Sequence, residues 1–292
     1  MSEYNFLENH PSLWYKKLPQ PGVNTHKYSR GHALVYGGTY MTGAARLSAM
    51  ACARAGAGAS TVACAEKVWP IYAGGLLSVM VKPWATEKEA LHLWQPAYQA
   101  VLIGPGAGEM PELMGLVQGL LQQSVKNQTV VLDADAITIH EKRPQQLFTA
   151  IANSMATVVL TPHEGEFARL FPDLALVESS RSKVERAQHA AQRSGAIIVL
   201  KGSETVIAHP KPSPSCIVVQ KGSSPYLATA GSGDVLAGLI TGLGAQAMPA
   251  FSAACTAVWL HSQAAQAFGP GLIAEDIIEN IPLIWQHLLS NP

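Results

Sequence analysis

A chain of 292 residues, 48% of them hydrophobic, is long enough to bury a substantial core in one large α/β domain. Its 20 basic and 20 acidic residues cancel, which argues against a nucleic-acid partner or an anionic membrane surface. The four cysteines, Cys52, Cys64, Cys216 and Cys255, lie far apart with no CxxC pair, so they read as reduced thiols of a cytoplasmic protein and not as a zinc site.

In chain order, Met1 to Gln20 carries Glu3, Glu8, Lys16 and Lys17 among aromatic residues and has no signal-peptide pattern. Residues 1–27 are expected to form an N-terminal extension and residues 28–292 a single domain. Ala33 to Tyr36 is a short apolar strand ending at Gly37-Gly38. A helix follows with Thr42 as its cap, and Leu47, Met50, Ala51 and Arg54 fall on one stripe before Gly56 and Gly58 end it. Ser60 to Cys64 is the next strand, so the unit is strand, glycine turn, helix, strand, which predicts parallel strands with a right-handed crossover.

The alternation continues. Ala100 to Ile103 is a strand running into Gly104-Pro105-Gly106-Ala107-Gly108, and Pro111 opens a helix through Leu121. Thr129 to Leu132 is closed by Asp133-Ala134-Asp135. Thr157 to Leu160 is closed by Thr161-Pro162-His163-Glu164, read as a capping box with Thr161 as the cap. Ser182 to Ser194 is helical, Ala196 to Leu200 is a strand, and Val206 to Ala208 with Ile217 to Val219 form a terminal hairpin or meander. Val235 to Ala274 lacks Asp, Glu, Lys and Arg, but Gly242, Gly244, Gln246, Pro249 and His261 interrupt it. It reads as two buried helices around a turn at Ala247 to Pro249, not as a membrane span.

Such alternation predicts an open, mostly parallel sheet with helices on both faces, whose ligands bind beyond the carboxyl ends of the strands. Gly37-Gly38, Gly104 to Gly108, Asp133 and Asp135, His163 and Lys201-Gly202 all stand at those ends. There they would converge with Ala230-Gly231-Ser232-Gly233-Asp234, a glycine turn leading straight into a helix. At such a turn the amides of Ser232, Gly233 and Asp234 are free to face an anion, and phosphate is the guest that fits. Asp234 sets a carboxylate beside it, which points to phosphoryl transfer onto a hydroxyl. Neither a dinucleotide fingerprint nor a P-loop is present.

The ordered set Gly31-His32-Ala33 through Gly37-Gly38 and Gly43-Ala44-Ala45, Gly104 to Gly108, Asp133 to Ala136, Thr161-Pro162-His163-Glu164-Gly165-Glu166, Lys201-Gly202-Ser203-Glu204-Thr205 and Ala230 to Asp234 resembles the ADP/ATP-dependent NAD(P)H-hydrate dehydratases of the ribokinase-like superfamily. The GSGD turn is shared across that superfamily; TPHxGE, KGxxT and the early GG…GA are the specific part. The resemblance runs from about Tyr28 to Pro282. It implies a repair enzyme that removes water from hydrated NADH or NADPH (NADHX, NADPHX) while consuming ADP or ATP, with Mg2+ as the phosphate counter-charge and a homo-oligomer, a tetramer, as the assembly. Asp234 would be the catalytic base and Gly231, Ser232 and Gly233 the anion hole. Ala45, Gly108, His163 and Asp234 would line the hydrate side. Lys201, Gly202, Ser203, Glu204, Thr205 and Gly233 would line the nucleotide side.

No residue is assigned to the metal, and Asp133 and Asp135 stay open between capping a nearby loop and holding a magnesium-bound water. Two stretches depart from the family pattern: Lys221 to Tyr226 replaces an Asn-Pro-Gly-like loop, and Leu77 to Met80 stands where relatives carry Pro-Glu. Neither is expected to touch the catalytic residues. The ~30 residues before the first strand are too few for the epimerase domain that accompanies some family members. The alternatives are a sugar or vitamin-alcohol kinase of the same superfamily, which would stop at the phosphate ester, and a catalytically idle nucleotide-binding regulator.

Overall fold

The computed structural model describes residues 5–108, 110–175, 182–211 and 216–290; residues 1–4 of the expected extension lie outside that range. The strands are β1 (Leu7–Glu8), β2 (His32–Gly37), β3 (Ala59–Ala65), β4 (Met80–Trp84), β5 (Ala100–Ile103), β6 (Thr129–Leu132), β7 (Thr157–Leu160), β8 (Ile197–Leu200), β9 (Thr205–Ala208) and β10 (Ile217–Gln220). They form one sheet in the order β1-β10-β9-β8-β7-β6-β5-β2-β3-β4. From β4 to β8 every pairing is parallel, while β9 runs antiparallel to β8 and β10, as the terminal hairpin predicted.

The helices are α1 (Thr42–Arg54), α2 (Trp69–Gly75), α3 (Glu87–Leu93), α4 (Leu113–Gln123), α5 (Asp135–Thr138), α6 (Pro144–Asn153), α7 (Glu164–Leu170), α8 (Pro172–Ala175), α9 (Lys183–Ser194), α10 (Ser232–Ala245), α11 (Ala250–Phe268) and α12 (Ala274–Ser290). Period-2 alternation along the strands divides the core in two. Ala33, Val35, Leu102, Val131, Val159 and Val199 pack under α1, α10, α11 and α12. Leu34, Tyr36, Ile103, Leu132, Leu160 and Leu200 pack under α4, α6, α7 and α9. Strands buried on both faces read as unbroken apolar runs, which is why they were visible in the sequence. No helix among the described residues is long and apolar enough to cross a membrane.

Some expected boundaries move. Thr42 is the first residue of α1, not its cap, and Met41 stands at the cap without a side-chain hydrogen bond. α4 begins at Leu113, beyond Pro111. Ser182 caps α9 in a capping box with Glu185, and Gly195, at φ 74°, ends it. The expected N-terminal extension is part of the folded unit: β1 pairs with β10, and Trp14, 1% exposed, donates from Nε1 to Asn9 Oδ1 at 3.1 Å. β4 carries Lys82 and Pro83, so it lacks an apolar run, and Pro83 is tolerated because the strand lies at the sheet edge.

Candidate functional site

Because β2, β5, β6, β7 and β8 run parallel, their carboxyl ends share one edge of the sheet, and a chain of contacts ties the loops there together. A methyl group on Gly38 would overlap the Gly106 carbonyl, and one on Gly104, at φ 121°, would overlap the Asp133 carbonyl, so both loops approach only as glycine. Next along the edge, the amide of Gly108 donates to Asp135 Oδ2 at 2.7 Å. Between the two aspartates Ala134 adopts φ 47°, ψ −118°, a sparsely populated conformation that sends Asp133 and Asp135 to different partners. Asp133 Oδ1 accepts from Thr161 Oγ1 at 2.6 Å and from Lys201 Nζ at 2.9 Å. The amide of Lys201 in turn donates to the Pro162 carbonyl at 2.9 Å.

Thr161 is therefore spent on Asp133 and does not cap α7. The cap is His163, whose Nδ1 accepts from the amides of Gly165 and Glu166 at 2.9 and 3.2 Å. Glu166 returns the bond by accepting from the His163 amide at 2.8 Å, so the capping box exists but sits two residues later than its sequence reading. Glu166 is buried, with Oε2 3.8 Å from Lys201 Nζ. Burial raises the pKa of Glu166, with Asp133 adding to it against the opposing pull of Lys201. Burial works to lower the Lys201 ammonium, but Asp133 and Glu166, helped by Asp234, outweigh it and hold the lysine charged.

The glycine turn closes this edge. Gly231 caps α10 at φ 86°, and Asp234 lies in its first turn. Of the three amides expected to be free, that of Ser232 lies 3.4 Å from the Thr229 carbonyl, whereas those of Gly233 and Asp234 have no backbone acceptor among the described residues. The Lys201 ammonium stands 3.4 Å from where a Cβ on Gly233 would be. α1 supports the turn from beneath, the Ser48 hydroxyl lying 2.9 Å from the Asp234 carbonyl. The Asp234 carboxyl is pushed up to about 7, first by burial and then by Asp133, with Asp135 and Glu166 adding and Lys201 opposing. A carboxyl poised near neutrality is suited to accept a proton and give it up again.

Beside the turn opens a cavity of about 750 Å³ lined by His163, Lys201, Gly202, Ser203, Thr205, Ser232 and Gly233. His163 thus lines the same cavity as Lys201, Gly202, Ser203 and Thr205. Glu204 is not among the lining residues; its carbonyl accepts from Lys183 Nζ at 2.7 Å. Ala45, Gly108, Gly231 and Asp234 also lie outside the lining. Ala45 is buried in α1, and Gly108 sits beneath the exposed Tyr40 ring, 3.2 Å from the position its Cβ would take.

Sequence reasoning missed an apolar wall, Pro225, Leu227, Leu236 and Val258, together with His261. Burial keeps His261 neutral, lowered to about 4, and its Nε2 lies 2.9 Å from the Ser232 carbonyl. The atypical Lys221 to Tyr226 loop reaches the cavity. Ser223, Ser224 and Pro225 line the cavity, and Ser232 Oγ donates to the adjoining Leu227 carbonyl at 2.7 Å. Among the described residues no group of three His, Cys, Asp or Glu side chains is placed to hold a metal ion.

A family model described as NAD(P)H-hydrate dehydratase matches residues 33–282. The chain is 34% identical over 281 residues to a bifunctional NAD(P)H-hydrate repair enzyme of Coxiella burnetii, covering 94% of this chain and 53% of that protein. It is 38% identical over 255 residues to the enzyme of the same name from Gloeobacter violaceus, covering 85% and 47%. The chain therefore spans about half the length of these curated relatives. Among solved structures, the Bacillus subtilis ADP/ATP-dependent NAD(P)H-hydrate dehydratase co-crystallized with ATP/Mg2+ superposes with a TM-score of 0.82 at 28% identity, over 96% of this chain and 98% of that one. Ribokinase from Cryptococcus neoformans, 15% identical with a TM-score of 0.51 over 86% of this chain and 99% of that one, shares the fold alone.

Proposed function

The chain belongs to the NAD(P)H-hydrate dehydratase family, and from that footing we propose that it returns NADHX and NADPHX to NADH and NADPH at the expense of ADP or ATP. The observation that carries the reading is Asp234, held in the first turn of α10 beside two amides without backbone acceptors, its proton affinity raised to about 7. Hydroxide is a poor leaving group and phosphate a good one. Asp234 takes the proton of the ring hydroxyl as that oxygen forms a bond to the terminal phosphorus of the nucleotide and the bridging P–O bond breaks. The ester then loses phosphate, the C–O bond breaking as the adjacent ring carbon gives up a proton and the ring double bond forms. The amides of Gly233 and Asp234, with the Lys201 ammonium, stabilise charge on the transferring oxygens.

The nucleotide is assigned to the cavity between His163 and the Lys201 to Thr205 strand end, whose apolar wall suits a flat base. The hydrate is assigned to the other side of Asp234, toward Ala45 and Gly108. Magnesium would be the counter-charge on the phosphates, keeping most of its waters. The assembly is assigned as a homo-oligomer, a tetramer; the exposed Trp69 and Ile71 of α2, Leu77 after it and Met80 of the edge strand β4 support association of copies, and light scattering on the purified protein tests their number. Four free, buried cysteines support a reducing, cytoplasmic setting.

Incubation of the purified protein with NADHX, magnesium and ADP or ATP should restore the absorbance of reduced nicotinamide only when nucleotide is present. Phosphorylation of a sugar or vitamin alcohol with no dehydration of NADHX would replace this reading with the kinase.

A further inference from the structure

Asp133 is 2% exposed, and its carboxylate holds two groups of the site. Thr161 Oγ1 donates to its Oδ1 at 2.6 Å, and the same oxygen holds Lys201 Nζ at 2.9 Å. The ammonium so held reaches toward Glu166 Oε2 at 3.8 Å and stands against the Gly233 turn. A buried lysine satisfied by one carboxylate does not need a second, and a net negative cluster next to a phosphate cradle gains nothing for anion binding. Its worth lies in what it does to the neighbouring carboxyl.

Resting on the phosphoryl-transfer reading above, we propose that Asp133 is a positioning residue for that step. Clamped by Thr161, it fixes the Lys201 ammonium between itself and Glu166 and against the Gly233 turn, so that the cation is shared among the carboxyls and Asp234 stays free to take the proton. The strained Ala134 that separates Asp133 from Asp135 is the backbone cost of aiming one carboxylate at Lys201 and the other at the Gly108 loop. The charges that act on Asp234 are Asp133 from the end of β6, Asp135 from α5, Glu166 from α7 and Lys201 from the end of β8. His261 from α11 is neutral and meets the turn at Ser232. Lys201 opposes the carboxylates, and removing the Asp133 charge leaves that opposition less balanced.

The test uses Asp133→Asn and the milder Thr161→Val. Two readouts apply: the pH dependence of kcat/KM with NADHX, and direct NMR titration of the Asp234 carboxyl, which needs no turnover. In Asp133→Asn the acid limb and the NMR midpoint should move down by about one pH unit, and the plateau kcat should fall by up to about ten-fold as the base weakens. Thr161→Val should move both in the same direction by less. Affinity for ADP, measured by calorimetry, should hold within about three-fold, because the phosphates rest on backbone amides. A folded variant with both midpoints unmoved, or a ten-fold loss of ADP affinity, overturns the proposal, and if Asp133→Asn does not fold, Thr161→Val decides. Wild-type protein that leaves NADHX unchanged defeats the functional reading instead, while the NMR titration still judges Asp133.

Discussion

In the proposed mechanism Asp234 is the residue on which the chemistry turns. Asp234→Asn keeps the shape of the α10 turn and removes the base, so turnover should fall by about 100-fold to 10,000-fold while ADP binding holds, as kinetics and calorimetry would show. The same substitution should stabilise the fold. A carboxyl whose pKa is about 7 when folded and ordinary when unfolded costs stability progressively as pH rises through that interval, and an amide escapes the cost. Urea unfolding at about pH 8 should therefore find Asp234→Asn more stable than wild type, and equal stability would contradict the assigned burial. Asp234 was legible in the sequence because a GSGD turn is local. The cluster around it was not, since Asp133 and Lys201 are 68 residues apart and only the parallel pairing of β6, β7 and β8 brings them together.

At the scale of elements, two glycines let α10 lie directly on α1. A methyl group on Gly238 would overlap the Ser48 backbone, and one on Gly242 would stand 2.5 Å from the Cys52 carbonyl. Gly238→Ala should cost about 1–3 kcal/mol in urea unfolding and reduce activity with it, because the same contact carries Ser48 to the Asp234 carbonyl. A fully stable variant would mean that the helices slide apart without cost. The α7 cap makes a second prediction: His163→Ala should lose about 1 kcal/mol of stability while His163→Asn keeps most of it, asparagine being a good N-cap. Here the sequence placed the helix correctly and misread its start. Thr-Pro before an acidic residue is a plausible cap by pattern, and only the spatial neighbour Asp133 shows that the Thr161 hydroxyl is already engaged.

At the scale of the whole molecule, the parallel block and both helical layers were legible because every core strand is an apolar run flanked by glycine or polar punctuation. The edges were not: β1 is two residues long and β4 is interrupted by Lys82 and Pro83, so neither carries a periodic signal. Yet the N-terminal segment matters to the fold, since Trp14 is buried and meets Trp259 edge-on at 5.6 Å between ring centroids. Trp14→Ala should cost about 3–5 kcal/mol. Acid sensitivity is built into the interior as well. Burial lowers His32, His140 and His261 to about 4, so each contributes stability that is present above the ordinary histidine range and lost as pH falls toward 4. His140, buried with neither ring nitrogen hydrogen-bonded among the described residues, isolates the effect: His140→Phe should flatten the loss of thermal stability on acidification, and an unchanged slope would remove it from the account.

The claim on which all three scales converge is that the hydroxyl oxygen of the hydrate leaves on phosphorus. Hydrate prepared with isotopically heavy oxygen in that hydroxyl, turned over with ADP or ATP and analysed by mass spectrometry of the released phosphate, tests it most directly. Transfer of the phosphoryl group to the ring hydroxyl places the heavy atom in phosphate, one per NADH or NADPH formed. Heavy oxygen recovered only in water, with unlabelled phosphate, would mean that nucleotide hydrolysis and dehydration are separate events and that Asp234 does not serve the transfer.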